Sequence, residues 1–568
     1  MMIFKKNFNC YNGLSATEVI IDNTTSEGIK GSIGNDTIIL TNGTYKGSNN
    51  TNINLPSGKN LIIKSQNPQN KAVIDCQGNW FLNSQGNLTL INLIIKNTYK
   101  IGNGGAIYNT NSLTIINCTF INNTATNRDG GAIYNTGNNF SVINSTFTNN
   151  TVISGGGSAI YNTGNNFSVI NSTFTNNTAN NGGGAIYNTG NNFSVINSTF
   201  TSNKASYGSG GAIYNTGNNS SVINSNFTSN KANGGGAIYT NGSSNFSVRN
   251  STFTNNTAVN FFGGGAIYNY GGVNFNVANS TFIKNEATRY GGAIYNIGNN
   301  FSVINSNFTN NTVTNYGSGG AIYNRGDIFS VINSNFTNNK ANGDGGAIYN
   351  YGSVNFNVVN SNFTNNTATT GLGGAIYNDY DGDDFSVINS TFTNNTANTD
   401  GGAIYNEGSG FSVRNSTFTG NKVTNRGGAI YNTGSFSVRD SNFTNNTADY
   451  GGGIFNDGNM IVSGNEMYNN SAGILGKFIY NNRTMGILNL TYLNNQTIVV
   501  NNNTGNSITI FATLTDDMSN PVSYGNISFY VNGILIRIVE SVEGYANITY
   551  YFNHTNGLLP VTGDLACR

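Results

Sequence analysis

The sequence predicts an all-β chain, a right-handed parallel β-helix solenoid followed by a small immunoglobulin-like β-sandwich. Three observations carry the prediction. The segment Gly104-Gly105-Ala106-Ile107-Tyr108-Asn109 returns thirteen more times with little change, roughly every 26–27 residues. A period of that size marks stacked supersecondary units, none of which can bury its own apolar face alone. Each unit holds short alternating strands divided by Gly- and Asn-rich turns, and past about Asn481 this period gives way to longer alternating runs.

One unit runs from Gly131 to Val152. Gly131-Ala132-Ile133-Tyr134-Asn135 reads as a first strand with a turn at Gly137-Asn138-Asn139, Phe140-Ser141-Val142-Ile143-Asn144 as a second and Thr146-Phe147-Thr148-Asn149 as a third, with Asn150-Thr151 and a Gly-rich turn leading onward. The inward side follows from substitutions between copies. Arg249, Arg414 and Arg439 take the place of Ile143, so that position faces water. Strict alternation then points Phe140, Val142, Asn144, Phe147 and Asn149 inward. In the first strand Ile133 is the large aliphatic residue that never varies; if it faces in, Asn135 joins it and Tyr134 faces out. On that parity Asn135, Asn144 and Asn149 bond their copies above and below at the bends.

Residues 1–30 form an N-terminal segment, 31–103 two or three atypical capping coils, 104–480 about fourteen full repeats, and 485–568 the sandwich. Asp36–Leu40, Asn60–Lys64, Ala72–Asp75 and Leu88–Ile91 read as strands of the caps. The rod then has about 17 coils and a length of roughly 80 Å at the inter-strand spacing. In the sandwich, Ser507–Leu514, Asn526–Val531 and Tyr545–Tyr550 alternate, with Asn532-Gly533 as a hairpin turn. The sandwich is expected to lack one strand of a complete module at Arg568.

Composition narrows the function. Lys and Arg total 25 against 24 Asp and Glu, and 9% of the 568 residues are charged, so neither nucleic acid nor an anionic membrane is implied as a partner. No apolar run approaches the ~18 residues of a spanning helix. Met1–Lys6 has the charge of a signal peptide without the apolar stretch that should follow. An exported protein that has lost its signal is the expectation, with a cytoplasmic protein as the alternative. Cys10, Cys76, Cys118 and Cys567 match neither a zinc pattern nor a disulfide framework. A Cys76–Cys118 bridge between neighbouring coils is one arrangement their positions allow.

The candidate binding surface is an external tyrosine ladder, one ring per coil: Tyr108, Tyr134, Tyr161, Tyr187, Tyr214, Tyr239, Tyr268, Tyr295, Tyr323, Tyr349, Tyr377, Tyr405 and Tyr431. A fourteenth copy carries Phe455 instead. Tyrosine rings stack on sugars and on protein surfaces and add a hydroxyl. The structural alternative is that they only stack on each other. Asp379, Asp381, Asp383 and Asp384 form the one dense charge cluster, with oxygen ligands at alternate positions that could hold Ca²⁺. It departs from an EF-hand loop: Asp384 replaces the required Gly, and Ser390 stands where a bidentate Glu belongs. No other cofactor is expected.

Catalysis is not expected. A glycan-cleaving β-helix needs clustered carboxylates with Arg or Lys, and these coils present Asn, Thr and Ser. His554 is the single histidine and lies in the sandwich, which excludes a triad or zinc site. Sequons such as Asn144-Ser145-Thr146 and Asn149-Asn150-Thr151 recur about twice per repeat; on the parity above their asparagines face inward and stay unmodified. Leu559-Pro560-Val561-Thr562-Gly563 matches a sortase sorting pattern but lacks the apolar span and basic tail, so a strand of the sandwich is expected there.

The pairing of Gly-Gly-Ala-Ile with Phe-x-x-Asn, as in Phe147 to Asn150, resembles the repeat of polymorphic outer membrane proteins. The Asn/Thr-rich setting and the C-terminal module resemble adhesin-like surface proteins of methanogenic archaea. The resemblance covers about residues 36–480 and 485–568. It implies a β-helix displayed at the cell surface as a monomeric rod, binding glycans or proteins of neighbouring or host cells. The chain departs from the bacterial pattern in having no C-terminal membrane barrel, so autotransport is not implied. A purely structural stalk or coat, and a carbohydrate-active enzyme, are the competing readings.

Overall fold

A computed structural model describes residues 5–8, 16–260, 263–482, 485–487, 506–514, 521, 525–531, 534–552 and 565–567. His554, the Asn532-Gly533 turn and the Leu559–Gly563 motif lie outside them. Residues 16–482 wind into a right-handed parallel β-solenoid of about 17 turns. Its helical content among the described residues is one turn, Gly28–Gly31, which buries Ile29.

Each coil contributes a strand to each of several parallel ladders running the length of the rod. The first strand of the coil, Ile133–Asn135, lies in a ladder of 17 strands from Ile53–Leu55 to Ile479–Asn481. The second, Phe140–Ile143, and the third, Thr146–Thr148, lie in ladders of comparable length. Pairing is in register, Ile133 on Ile160, Val142 on Val169, Phe147 on Phe174, so identical side chains superpose along the axis. A fourth strand, Thr151–Val152, belongs to a ladder of 12, where the sequence suggested only a turn. The stack also begins earlier than residue 31: Ala16–Ile21 pairs parallel with Thr37–Leu40.

The core is a column of Ile, Phe and Val repeated once per coil. Ile133, Val142 and Phe147 have no exposed surface. The phenylalanines stack along the axis, Phe147 on Phe174 with ring centres 4.9 Å apart and planes within 2°. Interior aromatic stacks of this kind add to the stabilisation from burial.

Ile133, Asn135, Phe140, Val142 and Phe147 point inward as the alternation requires, but Asn144 and Asn149 do not. Both are exposed, and Ser145 and Asn150 are buried in their place. The cause is backbone geometry. Asn139, Asn144 and Asn149 adopt left-handed conformations, with φ of 58°, 51° and 55°. One left-handed residue turns the chain sharply and breaks the two-residue alternation, so the next residue goes inward. Asparagine tolerates this region better than other side chains with a Cβ. The sequon asparagines Asn144 and Asn149 therefore face solvent, and the steric argument against their modification fails.

The buried asparagines form two amide ladders. Asn150 Nδ2 donates to Phe120 O at 3.1 Å and to Asn177 Oδ1 at 2.9 Å, while its Oδ1 accepts from Asn123 N and Nδ2. The same set repeats from Asn123 to Asn470. The Asn135 ladder runs parallel, with Asn135 Nδ2 to Asn162 Oδ1 at 2.7 Å, and is patched where Thr240 replaces asparagine: Asn215 turns to Ser243, and Thr240 donates to Asn269. Apart from Asn109 Oδ1 at the start of the second ladder, the amide atoms buried this way have partners, which offsets the penalty for burying amides in an apolar column.

The paired glycines of the repeat have separate roles. Gly130 is left-handed at φ 74°, and a Cβ on Gly131 would collide with the carbonyl oxygen of Ser158 in the next coil. Cys76 and Cys118 are both buried free thiols, so the bridge between them is not made. Burial pushes the Cys118 thiol up to about 12, which keeps it protonated.

Beyond the solenoid, Asn506–Thr513 pairs antiparallel with Tyr545–Phe552, and Asn526–Val531 pairs antiparallel with both Ile534–Glu540 and Leu565–Cys567. Ala512, Ile527, Phe529, Ala546 and Ile548 form their shared core.

Ile328 occupies a left-handed corner at φ 57° with a β-branched side chain that is 49% exposed. Relief of that strain is worth about 1–2 kcal/mol. Ile328→Asn is expected to raise the urea midpoint, and an unchanged or lower midpoint would contradict the corner assignment.

Candidate functional site: the tyrosine face and its N-terminal head

The thirteen tyrosines all lie on the outer side of the first-strand ladder, in register. Their rings stack on one another instead of standing free. Tyr134 and Tyr161 are 5.1 Å apart with planes within 6°, and Tyr187 and Tyr214 are 4.3 Å apart. A ring sandwiched between two copies has neither face open to a sugar; it offers an edge and a hydroxyl. The rings also lie over the glycine turn of the preceding coil, where a Cβ on Gly182 would meet the Tyr214 ring.

The ladder has two halves. Tyr108, Tyr134, Tyr161, Tyr187, Tyr214 and Tyr239 are half-buried. From Tyr268 onward the rings are mostly buried, Tyr405 at 6% exposure and Tyr431 at 4%. The stacking is disturbed between the halves, with Tyr239 and Tyr268 at 70°. In the buried half the hydroxyls find carboxylates: Tyr349 donates to Asp379 at 3.1 Å, and Tyr377 and Tyr405 both donate to Glu407. Arg426 closes the C-terminal end, paired with Asp400 through two hydrogen bonds and lying 4.7 Å from the Tyr431 ring centre. Burial, reinforced by these carboxylates, pushes the hydroxyls of Tyr349, Tyr377 and Tyr405 far above the ordinary phenol value. They act as fixed donors at any physiological pH.

Asp379, Asp381, Asp383 and Asp384 serve separate purposes. Asp379 accepts from Tyr349 and from Tyr380 N, Asp383 accepts from Ser409 N, Asp381 is exposed, and Asp384 is itself a left-handed corner at φ 54°. Among the described residues no group of three or more His, Cys, Asp or Glu is placed to hold a metal ion. No helix among them is long and apolar enough to cross a membrane.

The head of the ladder has a different geometry. Tyr108 is the first ring, and its register partner in the preceding coil is Asn83. Two adjoining hollows of about 360 and 450 Å³ open there and share Asn83 and Tyr108. Lys100 and Arg128 line the first, and Gln85 lines the second. The Lys100 ammonium donates to Asn83 Oδ1 at 3.0 Å and lies 5.1 Å from the centre of the Trp80 ring and 5.5 Å from that of Tyr108. Sequence reasoning missed this cluster because Trp80, Asn83 and Lys100 sit in the irregular caps, where no repeat marks them.

These features define a parallel β-helix rod with an ordered aromatic face. Ten segments match the Chlamydia polymorphic membrane protein repeat: residues 117–136, 171–189, 197–216, 279–297, 305–325, 333–351, 360–379, 389–407, 415–433 and 440–457. No curated protein matches the chain at a significant level. Solved structures of similar coiled architecture include a PL6 alginate lyase in complex with a trisaccharide, at 13% identity and a TM-score of 0.40, covering 67% of this chain and 85% of that one. A tailspike protein of E. coli bacteriophage HK620 with a pentasaccharide shows 14% identity and a TM-score of 0.35 over 95% and 86%. The mannuronan C-5 epimerase A-module of Azotobacter vinelandii shows 9% identity and a TM-score of 0.20 over 81% and 93%. At these values the likeness concerns the fold alone.

The two halves of the ladder should respond differently to truncation. Tyr405→Thr removes a buried, doubly stacked ring with a bonded hydroxyl and is expected to cost about 3 kcal/mol. Tyr161→Thr should cost about 1 kcal/mol, since its ring is half-exposed. Equal shifts in the urea midpoints would contradict the division.

Proposed function

We propose that this chain is an adhesin-like cell-surface rod that binds glycans or partner-cell surfaces without chemistry. The observation that carries the reading is the half-buried stretch from Tyr108 to Tyr239, which repeats the same hydroxyl-bearing edge once per coil. Stability alone would be served by rings covered as fully as Tyr405 and Tyr431. Serine, threonine and asparagine rows flank this stretch and supply further donors and acceptors in register, such as Ser141 beside Ser168 at 3.2 Å. A regular array engages a repeating polymer through many weak contacts whose effects multiply. The match to a polymorphic membrane protein repeat supports a surface location. The small β unit after the solenoid serves in this reading as an immunoglobulin-like module, and the corner asparagines of the sequons are open to glycans.

Non-catalytic binding is supported by what the coils present: amides and hydroxyls in rows, with the carboxylates Asp379 and Glu407 engaged by tyrosine hydroxyls. A purely structural stalk is the second reading, favoured by the buried half of the ladder. The full chain, assayed on a glycan array and on intact cells beside a variant with Tyr134, Tyr161, Tyr187 and Tyr214 changed to Thr, separates the two. Specific binding that falls at least tenfold in the folded variant is expected. Absence of binding by the folded parent would favour the stalk.

A further inference from the structure

We infer that the N-terminal head of the tyrosine ladder is a discrete binding site for an acidic saccharide, built from Trp80, Asn83, Lys100, Tyr108 and Arg128. The inference rests on the adhesive reading and names a ligand class and a place for it.

A saccharide site needs an aromatic surface, amides that bond hydroxyls and, for an acidic sugar, a cation held away from other anions. Along the ladder each ring is covered by its neighbours, but the coil before Tyr108 supplies Asn83 and no ring. This is where the stack ends, and both hollows open beside it. Trp80, the single tryptophan of the chain, is half-buried, its ring centre 5.1 Å from the Lys100 ammonium.

Lys100 is the distinctive group. Its ammonium has three donor hydrogens, and Asn83 Oδ1 takes one. None of the three ion pairs among the described residues involves it. Burial alone pushes its pKa down to about 8, with no carboxylate to offset the loss of water. Contrast Arg426 at the other end of the ladder, which lies over aromatic rings in the same way but is neutralised by Asp400. The two ends share one arrangement of cation on aromatic ring, closed internally by a carboxylate at one end and left open at the other. A carboxylate or sulfate from a saccharide completes the open end, with Arg128 exposed at the rim of the hollow as a second contact and Asn83 and Gln85 facing the sugar hydroxyls. Asp129 makes no ion pair with Lys100 among the described residues; its Oδ1 accepts from Gly156 N at 2.8 Å, and its charge is felt by the neighbouring Arg128.

Trp80 is the sole tryptophan, so its emission reports on this site. The full chain is titrated with an α-1,4-linked tetragalacturonate, a sulfated neutral tetrasaccharide, unmodified maltotetraose and sodium acetate. Saturable change with an acidic tetramer, little with maltotetraose or acetate, and at least tenfold weaker binding in Lys100→Met are expected. Lys100→Gln serves as a second variant, and circular dichroism confirms that both keep the fold. The stronger of the two acidic probes assigns the acid. An emission response that is absent, or equal in the folded Lys100 variants, or matched by acetate, overturns the site. If the parent and Lys100→Met bind cells or arrayed glycans alike, the site fails while the adhesive reading stands.

Discussion

The structure depends on a backbone constraint, the single left-handed residue at each corner of the coil. Asn139, Asn144 and Asn149 make three such corners in one coil, and their counterparts recur at the same places along the rod. Because each corner uses one residue and one conformation, successive coils have the same outline. Identical outlines let identical side chains superpose, and superposition produces the Phe147 stack, the Asn150 ladder and the tyrosine face together. A coil is too short to bury its own apolar residues, so this repetition is also the source of its stability.

Much of this was legible in the sequence. The 26–27-residue period, the inward Ile133, Phe140, Val142 and Phe147, and the outward Tyr134 all follow from periodicity and from arginines at the place of Ile143. The corners were not read because alternation was carried through them, which placed Asn144 and Asn149 inside. A usable signal was present: the corner positions also accept Gly410, Gly420, Asp384 and Asp440, a substitution set that marks left-handed backbone. The short fourth strand was hidden for a different reason. Two residues such as Thr151 and Val152 carry no detectable alternation, and only pairing with the next coil defines them as a strand.

The same geometry constrains what the aromatic face can do. In-register tyrosines mostly stack, with edge-on breaks at Tyr239–Tyr268 and Tyr295–Tyr323, so a row that in sequence promises a series of sugar platforms becomes chiefly a row of edges and hydroxyls. The row of rings ends at Tyr108, whose register partner in the preceding coil is Asn83 and brings no ring to cover it. The buried half of the ladder is tied down by Asp379, Glu407 and Arg426, whereas the first six rings and the head keep part of their surface in solvent.

The central claim, that left-handed corners decide which asparagine is structural, is tested most directly by the neighbours Asn310 and Asn311. Asn310 is a corner at φ 56°, and Asn311 is fully buried, bonded to Phe282 O, Asn339 and Asn285. Glycine at either position adds the same kind of backbone freedom, but only at Asn311 does it remove a buried side chain bonded to the coils on both sides. Asn310→Gly is predicted to shift stability by less than about 1 kcal/mol, because glycine accepts the left-handed region freely. Asn311→Gly is predicted to cost about 3 kcal/mol, because it strands buried donors and acceptors in the coils on both sides. Equal effects, or the larger loss at Asn310, would contradict the account.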